Sequence, residues 1–192
     1  MEEIINKITY DNIFLKTDKN TIHSYIPYYE KILKNFRYDN LNILEVGVSR
    51  GGSIRLWSEY FENSNIYGID IFPKKQHEII YQKLENFGKN ITIYKNNAYS
   101  IDVIKKLFSN ITFDIIIDDG PHTKISQEFF AEHYIKLLNP NGILIIEDIE
   151  NINYINDIIN KIPKDIKYEY TVYDLRDNKN RFDDIFLYIK RC

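Results

Sequence analysis

The chain of 192 residues has little cysteine, little net charge and no long apolar run. Its single cysteine, Cys192, cannot form an internal disulfide, which indicates a reducing compartment. The formal net charge is -3, so a basic surface for nucleic acid is not indicated. No apolar run approaches the ~20 residues of a membrane-spanning helix, and the acidic N-terminus is unlike a signal peptide. A cytoplasmic protein with no nucleic-acid partner and no membrane span is expected.

Short β-branched runs alternate with longer helical patterns along most of the chain. Such runs are typical of parallel strands that helices cover on both faces. Strands are predicted at 43–46, 66–69, 91–94, 113–117 and 143–146, and helices at 53–61, 77–87, 101–108, 126–138 and 152–162. The stretch 139–142 is expected to be a turn, and 167–175 and 184–190 a terminal antiparallel hairpin. The pattern predicts one α/β domain.

A loop containing three glycines follows the first predicted strand, in LNILEVGVSRGGSIRLW (41–57). Gly47, Gly51 and Gly52 would let the backbone approach a ligand closely, and the next helix offers free N–H groups. The spacing differs from the Gly-x-Gly-x-x-Gly of nicotinamide-dependent proteins. An acid, Glu45, stands two positions before the first glycine. A tight turn without a ligand would explain the glycines equally well.

The next two predicted strands end in residues that suit a nucleoside. Asp70 ends the second strand, where a carboxylate can accept hydrogen bonds from both ribose hydroxyls. Asn97 and Ala98 follow the third strand, where an amide could read the edge of an adenine. An acid after a strand is also a common helix cap. The three strand ends taken in order favour a nucleoside cofactor.

Two further strand ends are acidic. The stretch FDIIIDDGPH (113–122) places Asp118, Asp119 and His122 after an apolar run, and Glu147 and Asp148 follow the fifth strand. Buried charge is costly unless it is paired, hydrogen-bonded or bound to a metal, so these residues need structural partners or a chemical role. Each acid alone could be a turn residue or belong to the first turn of a helix, and a single loop histidine is usually exposed.

These motifs together resemble the class I S-adenosylmethionine-dependent methyltransferases. More narrowly, the chain is similar to the macrocin and mycinamicin sugar O-methyltransferases and to relatives labelled cephalosporin hydroxylases. The matching stretches are KTDKNTIHSYIPYYE (16–30), LEVGVSRGGSIRLW (44–57), IYGIDI (66–71), IIIDDGPH (115–122), GILIIEDI (142–149) and RFDDIFLYIK (181–190).

The resemblance implies a doubly wound, Rossmann-like α/β fold in a single domain, 1–192, whose seven-stranded, mostly parallel sheet has an antiparallel last strand. Residues 1–40 would form a helical lid or substrate segment, and 41–192 the S-adenosylmethionine-binding core. The implied cofactor-binding residues are Glu45, Gly47, Ser49, Arg50, Gly51, Ser53, Asp70, Asn97, Ala98 and Asp118. The resemblance also implies a divalent ion, usually Mg2+, held by Asp119, Glu147 and Asp148, with His122 as general base.

The chemistry of methyl transfer to a hydroxyl suits these residue types. A sugar hydroxyl is a weak acid, so its proton must leave as the new C–O bond forms. A divalent cation can stabilise the developing charge, and a base within reach contributes about 10²–10⁴-fold. The usual pKa of histidine, ~6.5, leaves His122 mostly neutral at pH 7, as a base must be. Asp118 would point to the opposite face of its strand from Asp119, where it caps a helix or touches the cofactor.

Two further predictions concern the N-terminal segment and the acceptor. Lys19, His23 and Tyr25 are candidates for a lid or a substrate contact, although packing would explain the tyrosines. The expected acceptor is a small molecule or glycan, including a nucleotide sugar. Three alternatives are a catechol-type O-methyltransferase, a dinucleotide-dependent oxidoreductase, which the glycine spacing disfavours, and a non-catalytic S-adenosylmethionine-binding partner subunit. A homo-oligomer is compatible with the sequence.

Overall fold

The computed structural model describes residues 1–11, 17–73, 79, 82, 84 and 90–192. Its centre is a sheet of seven strands in the order β3-β2-β1-β4-β5-β7-β6. The strands are β1 (Asn42–Val46), β2 (Asn65–Asp70), β3 (Ile91–Lys95), β4 (Phe113–Asp118), β5 (Leu138–Ile146), β6 (Tyr168–Asp174) and β7 (Ile185–Arg191). Strands β1 to β5 pair in parallel, and β7 is antiparallel to both β5 and β6. The predicted fold class, with its terminal antiparallel hairpin, is confirmed.

Helices flank this sheet. They are α1 (Glu2–Asp11), α2 (Ile26–Leu33), α3 (Gly52–Tyr60), α4 (Ile101–Phe108), α5 (Lys124–Tyr134), α6 (Tyr154–Asn160) and α7 (Arg176–Lys179). Most of the helix predicted at 77–87 lies outside the described residues. The helix predicted at 152–162 is shorter than expected. In the part of the chain that the structure describes, no helix has the length and apolar character to cross a bilayer.

Side chains of the central strands are buried on both faces of the sheet. Along β1, Ile43 packs in one apolar cluster with Trp57 of α3, whereas Leu44 packs in another with Phe130 of α5. Strands covered in this way have no polar face, which explains the nearly continuous apolar runs in the sequence.

The turn predicted at 139–142 is part of β5. Leu138 pairs with Phe113 and Ile143 pairs with Ile115, so the residues between them bulge out of the ladder. Asn141 has a φ of 65°, a left-handed conformation that asparagine tolerates. The sequence signal for a turn corresponds to this bulge. Pairing with β4 on both sides of the bulge keeps the segment within β5.

Residues 17–25, here called the strap, cross the sheet end from which β1, β4 and β5 emerge at their carboxyl termini. The side chains of Lys19, His23 and Tyr25 are buried there. Helix α7, which precedes β7, fastens the strap, because Lys179 Nζ donates to the carbonyl oxygens of Asn20 and His23. The strap is therefore packed onto the strand ends that carry the predicted site.

Candidate active site

A cavity of about 810 Å³ opens at the carboxyl ends of the parallel strands. This is the edge at which doubly wound sheets bind ligands. Predicted residues that line it are Gly47, Ser49, Arg50, Ser53, Asp70, Asn97, Ala98, Asp119 and His122. Strap residues Thr17, Asp18, Thr21 and Ile22 form part of its wall, and sequence reasoning did not single out the last two. The loops after four strands, β1 to β4, and the strap thus enclose one space.

The glycine loop is shaped by contacts within the protein. Gly47 has a φ of +89°, and a Cβ there would lie 1.9 Å from the Asp119 carbonyl oxygen. Gly51 has a φ of +78° and is the residue from which α3 begins. Gly47 is therefore needed for the close approach of two strand ends, in addition to any ligand contact.

Asp70 fixes the conformation of this loop. Its Oδ2 accepts hydrogen bonds from the backbone N–H groups of Val48 (2.9 Å) and Ser49 (2.8 Å), and its Oδ1 accepts from the Phe72 N–H (2.7 Å). A carboxylate offers about four acceptor positions, so capacity for a further donor remains on Oδ1. The residue predicted to bind a ribose also holds the glycine loop against β2.

Glu45 lies beneath the loop and does not line the cavity. It is fully buried, and its carboxylate accepts hydrogen bonds from Ser53 Oγ (2.6 Å) and Trp57 Nε1 (3.2 Å). Burial raises the pKa of Glu45 to about 7, although Lys19 opposes the shift. The geometry gives Glu45 a supporting role at the start of α3.

The loop after β3 brings a residue that sequence reasoning missed, Tyr99. Its backbone N–H donates to Asn97 Oδ1 (2.9 Å), which leaves the Asn97 NH2 group as the donor available to a ligand. The Tyr99 hydroxyl donates to Asp118 Oδ1 (2.6 Å), and a Cβ on Gly120 would lie 2.0 Å from that hydroxyl. Asp118 thus meets Tyr99 instead of lining the cavity, and burial raises its pKa to about 7.

Asp119, His122 and Asp148 form a cluster in which one oxygen or nitrogen of each lies within 4.8 Å of the others. His122 Nε2 is 3.9 Å from Asp119 Oδ1 and 3.5 Å from Asp148 Oδ2. Both His122 (φ 58°) and Asp148 (φ 52°) have left-handed backbones, a strain that clusters at functional sites. The adjacent β4 and β5 place these side chains together, since their ladder runs up to Asp118.

The strap occupies the outer oxygens of this cluster. Lys19 Nζ lies 2.8 Å from Asp119 Oδ2, and the Tyr25 hydroxyl donates to Asp148 Oδ1 (2.6 Å). His23 Nδ1 is 3.3 Å from the same Asp148 oxygen, and its ring stacks on Tyr25. The inner oxygens, Asp119 Oδ1 and Asp148 Oδ2, face His122 instead. Lys19, His23 and Tyr25 are therefore internal contacts and do not themselves line the cavity.

Glu147, the third predicted metal ligand, faces the strap. Its Oε2 accepts from Lys19 Nζ (2.5 Å), and its Oε1 accepts from the Tyr29 hydroxyl. Its backbone carbonyl accepts from Gln127 Nε2 (3.0 Å), a contact that sequence reasoning did not foresee. The Lys19 ammonium contacts the carboxylates of both Glu147 and Asp119. Glu147 is not one of the three clustered ligand groups.

Among the described residues, the carboxylates around this cluster outnumber the ammonium groups. Burial tends to lower the pKa of Lys19, but the attraction of Asp119, Glu147 and Glu45 outweighs it and raises that pKa well above its usual value. Burial and Asp119 raise the pKa of Asp148 to about 7. A hard divalent cation prefers carboxylate oxygens. The carboxylate donors of this cluster and their excess over the ammonium groups both fit such an ion.

His122 has the properties of a neutral base. Burial lowers the pKa of its imidazole from the usual value, with Asp119 opposing that shift. The side chain remains 31% exposed and lines the cavity. A deprotonated imidazole in the cavity wall is available to accept a proton from a bound hydroxyl.

Comparison with known proteins gives one family and a set of relatives. A family model described as a methyltransferase domain matches residues 44–149, which is more than half of the chain. The mycinamicin VI 2''-O-methyltransferase of Micromonospora griseorubida is 29% identical over 135 residues, 67% of this chain and 32% of that protein. A rhamnosyl tetracenomycin-C 2'-O-methyltransferase of Streptomyces olivaceus is 29% identical over 141 residues, 70% of this chain and 35% of that protein. The chain thus spans about a third of the length of these relatives.

Solved structures agree on the fold. MycE, a methyltransferase of the mycinamycin biosynthetic pathway solved with Mg, SAH and mycinamycin VI, matches with a TM-score of 0.72 and 17% identity. The match covers 98% of this chain and 54% of that one. The family match spans β1 with its glycine loop through to the acids after β5. The chain therefore belongs to the methyltransferase domain family.

Proposed function

We propose that this protein transfers a methyl group from S-adenosylmethionine to a sugar or glycan hydroxyl, with the help of a divalent ion. The observation that carries the proposal is that one cavity joins the two halves of such a site. The loop held by Asp70 lines one part of it, and Asp119 and His122 line another. A donor and an acceptor bound there would share one space.

The cofactor would be held by the three strand ends that the sequence indicated. The 47–50 loop with the start of α3 suits the amino-acid part, since Gly47, Ser49 and Ser53 line the cavity and the first N–H groups of a helix have no partner within it. Asp70 suits the ribose. The NH2 group of Asn97 suits an adenine ring nitrogen, since it is a donor and adenine ring nitrogens are acceptors.

Asp119 and Asp148 would hold the divalent ion, because each presents one oxygen toward the same point while the strap binds the other oxygen. Glu147, the third carboxylate at this edge, would stay paired with Lys19 (2.5 Å) while the ion is bound. When bound, the ion supplies stabilisation of an oxygen that is losing its proton. His122 can be the base only while its Nε2 is not itself a ligand.

In the reaction, His122 Nε2 would accept the hydroxyl proton as the acceptor oxygen forms its bond to the methyl carbon. The carbon–sulfur bond breaks at the same time, and its electron pair stays on sulfur, which yields S-adenosylhomocysteine. Asp119 and Asp148 lie beside the protonated imidazole and would stabilise its charge. The wall residues of the cavity would keep water away from the sulfonium.

The acceptor class rests on the relatives. Two of them are named for methylation at a 2'' or 2' oxygen, and the name of the second includes a rhamnosyl group. Phenolic acceptors are the competing class. A phenol is far more acidic than a sugar hydroxyl, so its methylation would depend much less on His122.

Calorimetric titration with S-adenosylhomocysteine, and with NAD as control, tests the cofactor. Micromolar binding of the first and none of the second is expected. An assay with excess Mg2+ or chelator, across nucleotide sugars, glycosides and catechols, then tests the acceptor. Binding without turnover on every acceptor would favour a non-catalytic S-adenosylmethionine-binding subunit. Turnover on catechols alone, at a rate that His122→Ala leaves unchanged, would exclude the sugar proposal.

A further inference from the structure

Asp119 divides its carboxylate between two neighbours. Its Oδ2 lies 2.8 Å from Lys19 Nζ, and its Oδ1 faces His122 Nε2 at 3.9 Å. Around the Lys19 ammonium stand two more carboxylate oxygens, Glu147 Oε2 at 2.5 Å and Glu45 Oε1 at 3.6 Å. Acids from the ends of three adjacent strands thus surround this ammonium in the way that carboxylates surround a metal ion.

Burial and backbone hydrogen bonds hold Lys19 in this position. Its side chain is fully buried, so the ammonium cannot reach water along the cavity. The backbone around it is fixed, because the Tyr25 N–H donates to the Lys19 carbonyl (3.1 Å) and the Lys19 N–H donates to Thr17 Oγ1 (3.3 Å). A buried lysine is costly unless carboxylates pair with it.

We propose that Lys19 is the internal counter-cation of the carboxylate cluster. As a positioning residue, it holds Glu147 and the outer oxygen of Asp119 and leaves the inner oxygen of Asp119 for a divalent ion. Asp119 then bridges a fixed cation and an exchangeable one. The exchangeable ion rests on the proposed function, but the pairing of Lys19 with Glu147 does not.

This arrangement predicts that Lys19 and the divalent ion substitute for each other in stabilising the fold. Without the lysine charge, Glu45, Asp119, Glu147 and Asp148 would lose the ammonium that now lies among them. A divalent ion binds the folded state and not the unfolded one, so it should offset part of the loss. Removal of the Glu147 charge should offset it as well, since breaking a buried pair costs more than replacing both partners.

The test compares the full chain with Lys19→Met, with Lys19→Met/Glu147→Gln and with the surface control Lys161→Met. Thermal unfolding is measured in EDTA and in MnCl2, without cofactor or acceptor, and Mn2+ binding is followed by electron paramagnetic resonance. In EDTA, Lys19→Met should lower the unfolding midpoint by about 10 °C. Mn2+ should restore at least half of that loss, and so should the added Glu147→Gln. Lys161, whose ion pair with Glu128 is on the surface, should change the midpoint by less than about 2 °C.

An equal loss in EDTA and Mn2+, together with no rescue by Glu147→Gln, would overturn the proposal and leave Lys19 a packing role. If Lys19→Met alone does not fold, the double variant decides: folding supports the pairing, and failure overturns it. If Glu147→Gln rescues but the wild type binds no Mn2+, the counter-cation role stands and the metal in the proposed function is wrong.

Discussion

Gly47 and Asp119 are in backbone contact: a Cβ on Gly47 would lie 1.9 Å from the Asp119 carbonyl oxygen. The two residues continue neighbouring strands, since the Asp119 N–H donates to the Val46 carbonyl (2.8 Å) and the Gly47 N–H donates to the Ile69 carbonyl (3.0 Å). The loop proposed to hold the cofactor and the acid proposed to hold the ion therefore share one rigid junction. A change at this glycine should disturb both.

Gly47→Ala is expected to destabilise the protein by about 3 kcal/mol, because it adds both a backbone clash and a positive φ on a residue with a side chain. Urea unfolding measures the effect. The control is Ser49→Ala in the same loop, whose exposed side chain should contribute no more than about 0.5 kcal/mol. Equal stability of the two variants would mean that the junction yields easily and does not couple the two halves of the site.

Asp70→Asn is expected to weaken S-adenosylhomocysteine binding at least about tenfold. The amide would turn an NH2 donor toward backbone N–H groups that now donate to the carboxylate, and loss of one charge-assisted hydrogen bond is worth about 1.5–3 kcal/mol. Calorimetric titration checks this, with Asp165→Asn as an exposed control. Unchanged affinity in Asp70→Asn would show that Asp70 neither fixes the loop for the cofactor nor meets the ribose.

The sheet was predictable because its signals are local. In runs such as 113–117 every buried position is apolar, and all of them except Phe113 are β-branched. The polar stretch 176–183 separates two strands. The glycine loop was also predictable, since a strand that ends in Val46 is followed by three glycines within six residues. The turn predicted at 139–142 from its local sequence was wrong as an element boundary. Those residues lie inside β5, because the residues on both sides of them pair with β4.

The partners of the site residues could not be predicted. Lys19 and Asp119 are 100 positions apart, and nothing in their spacing indicates that a strap returns over the strand ends. The predicted site residues share one edge because parallel strands all end there. Which oxygen of Asp119 meets Lys19, and that Asp118 meets Tyr99, are decided by packing between distant elements.

His122→Ala is expected to lower turnover by about 10²–10⁴-fold while S-adenosylhomocysteine affinity stays within about threefold, because a base acts only on the reacting hydroxyl. Burial lowers the pKa of His122 from its usual value, and the neutral form is the active one. Activity should therefore fall only as the pH drops through that lowered pKa, below ~6.5, and be level above it. His133→Ala, which removes a histidine outside the cavity, is the matched control.

The Mn2+ affinity of the His122→Ala variant distinguishes the two roles that the geometry allows His122, which are general base and ligand of the ion. A base that is not a ligand leaves Mn2+ binding within about threefold of the wild type. A ligand to the ion would cost about tenfold or more when removed. The second result would contradict the base assignment and would make Asp119, His122 and Asp148 the ligand set.

Tyr99→Phe is expected to destabilise the protein in a pH-dependent way. The Tyr99 hydroxyl is the donor that favours the charged form of Asp118, and burial already raises the pKa of that acid to about 7, above the ~3.9 of the unfolded chain. An acid with a raised pKa binds its proton more tightly in the folded state, so it makes the fold less stable as pH rises from ~4 to about 7.

Removal of the Tyr99 hydroxyl should raise the pKa of Asp118 further and deepen that loss. The variant should therefore cost about 1 kcal/mol at pH 5, where Asp118 is neutral, and about 2–3 kcal/mol at pH 8, where the acid must ionise without its donor. Urea unfolding at the two pH values measures the difference. Tyr94→Phe is the control, because its ring packs on Phe108 outside the cavity and its loss should not depend on pH. A pH-independent loss in Tyr99→Phe would mean that the hydroxyl stabilises the loop without acting on the charge of Asp118.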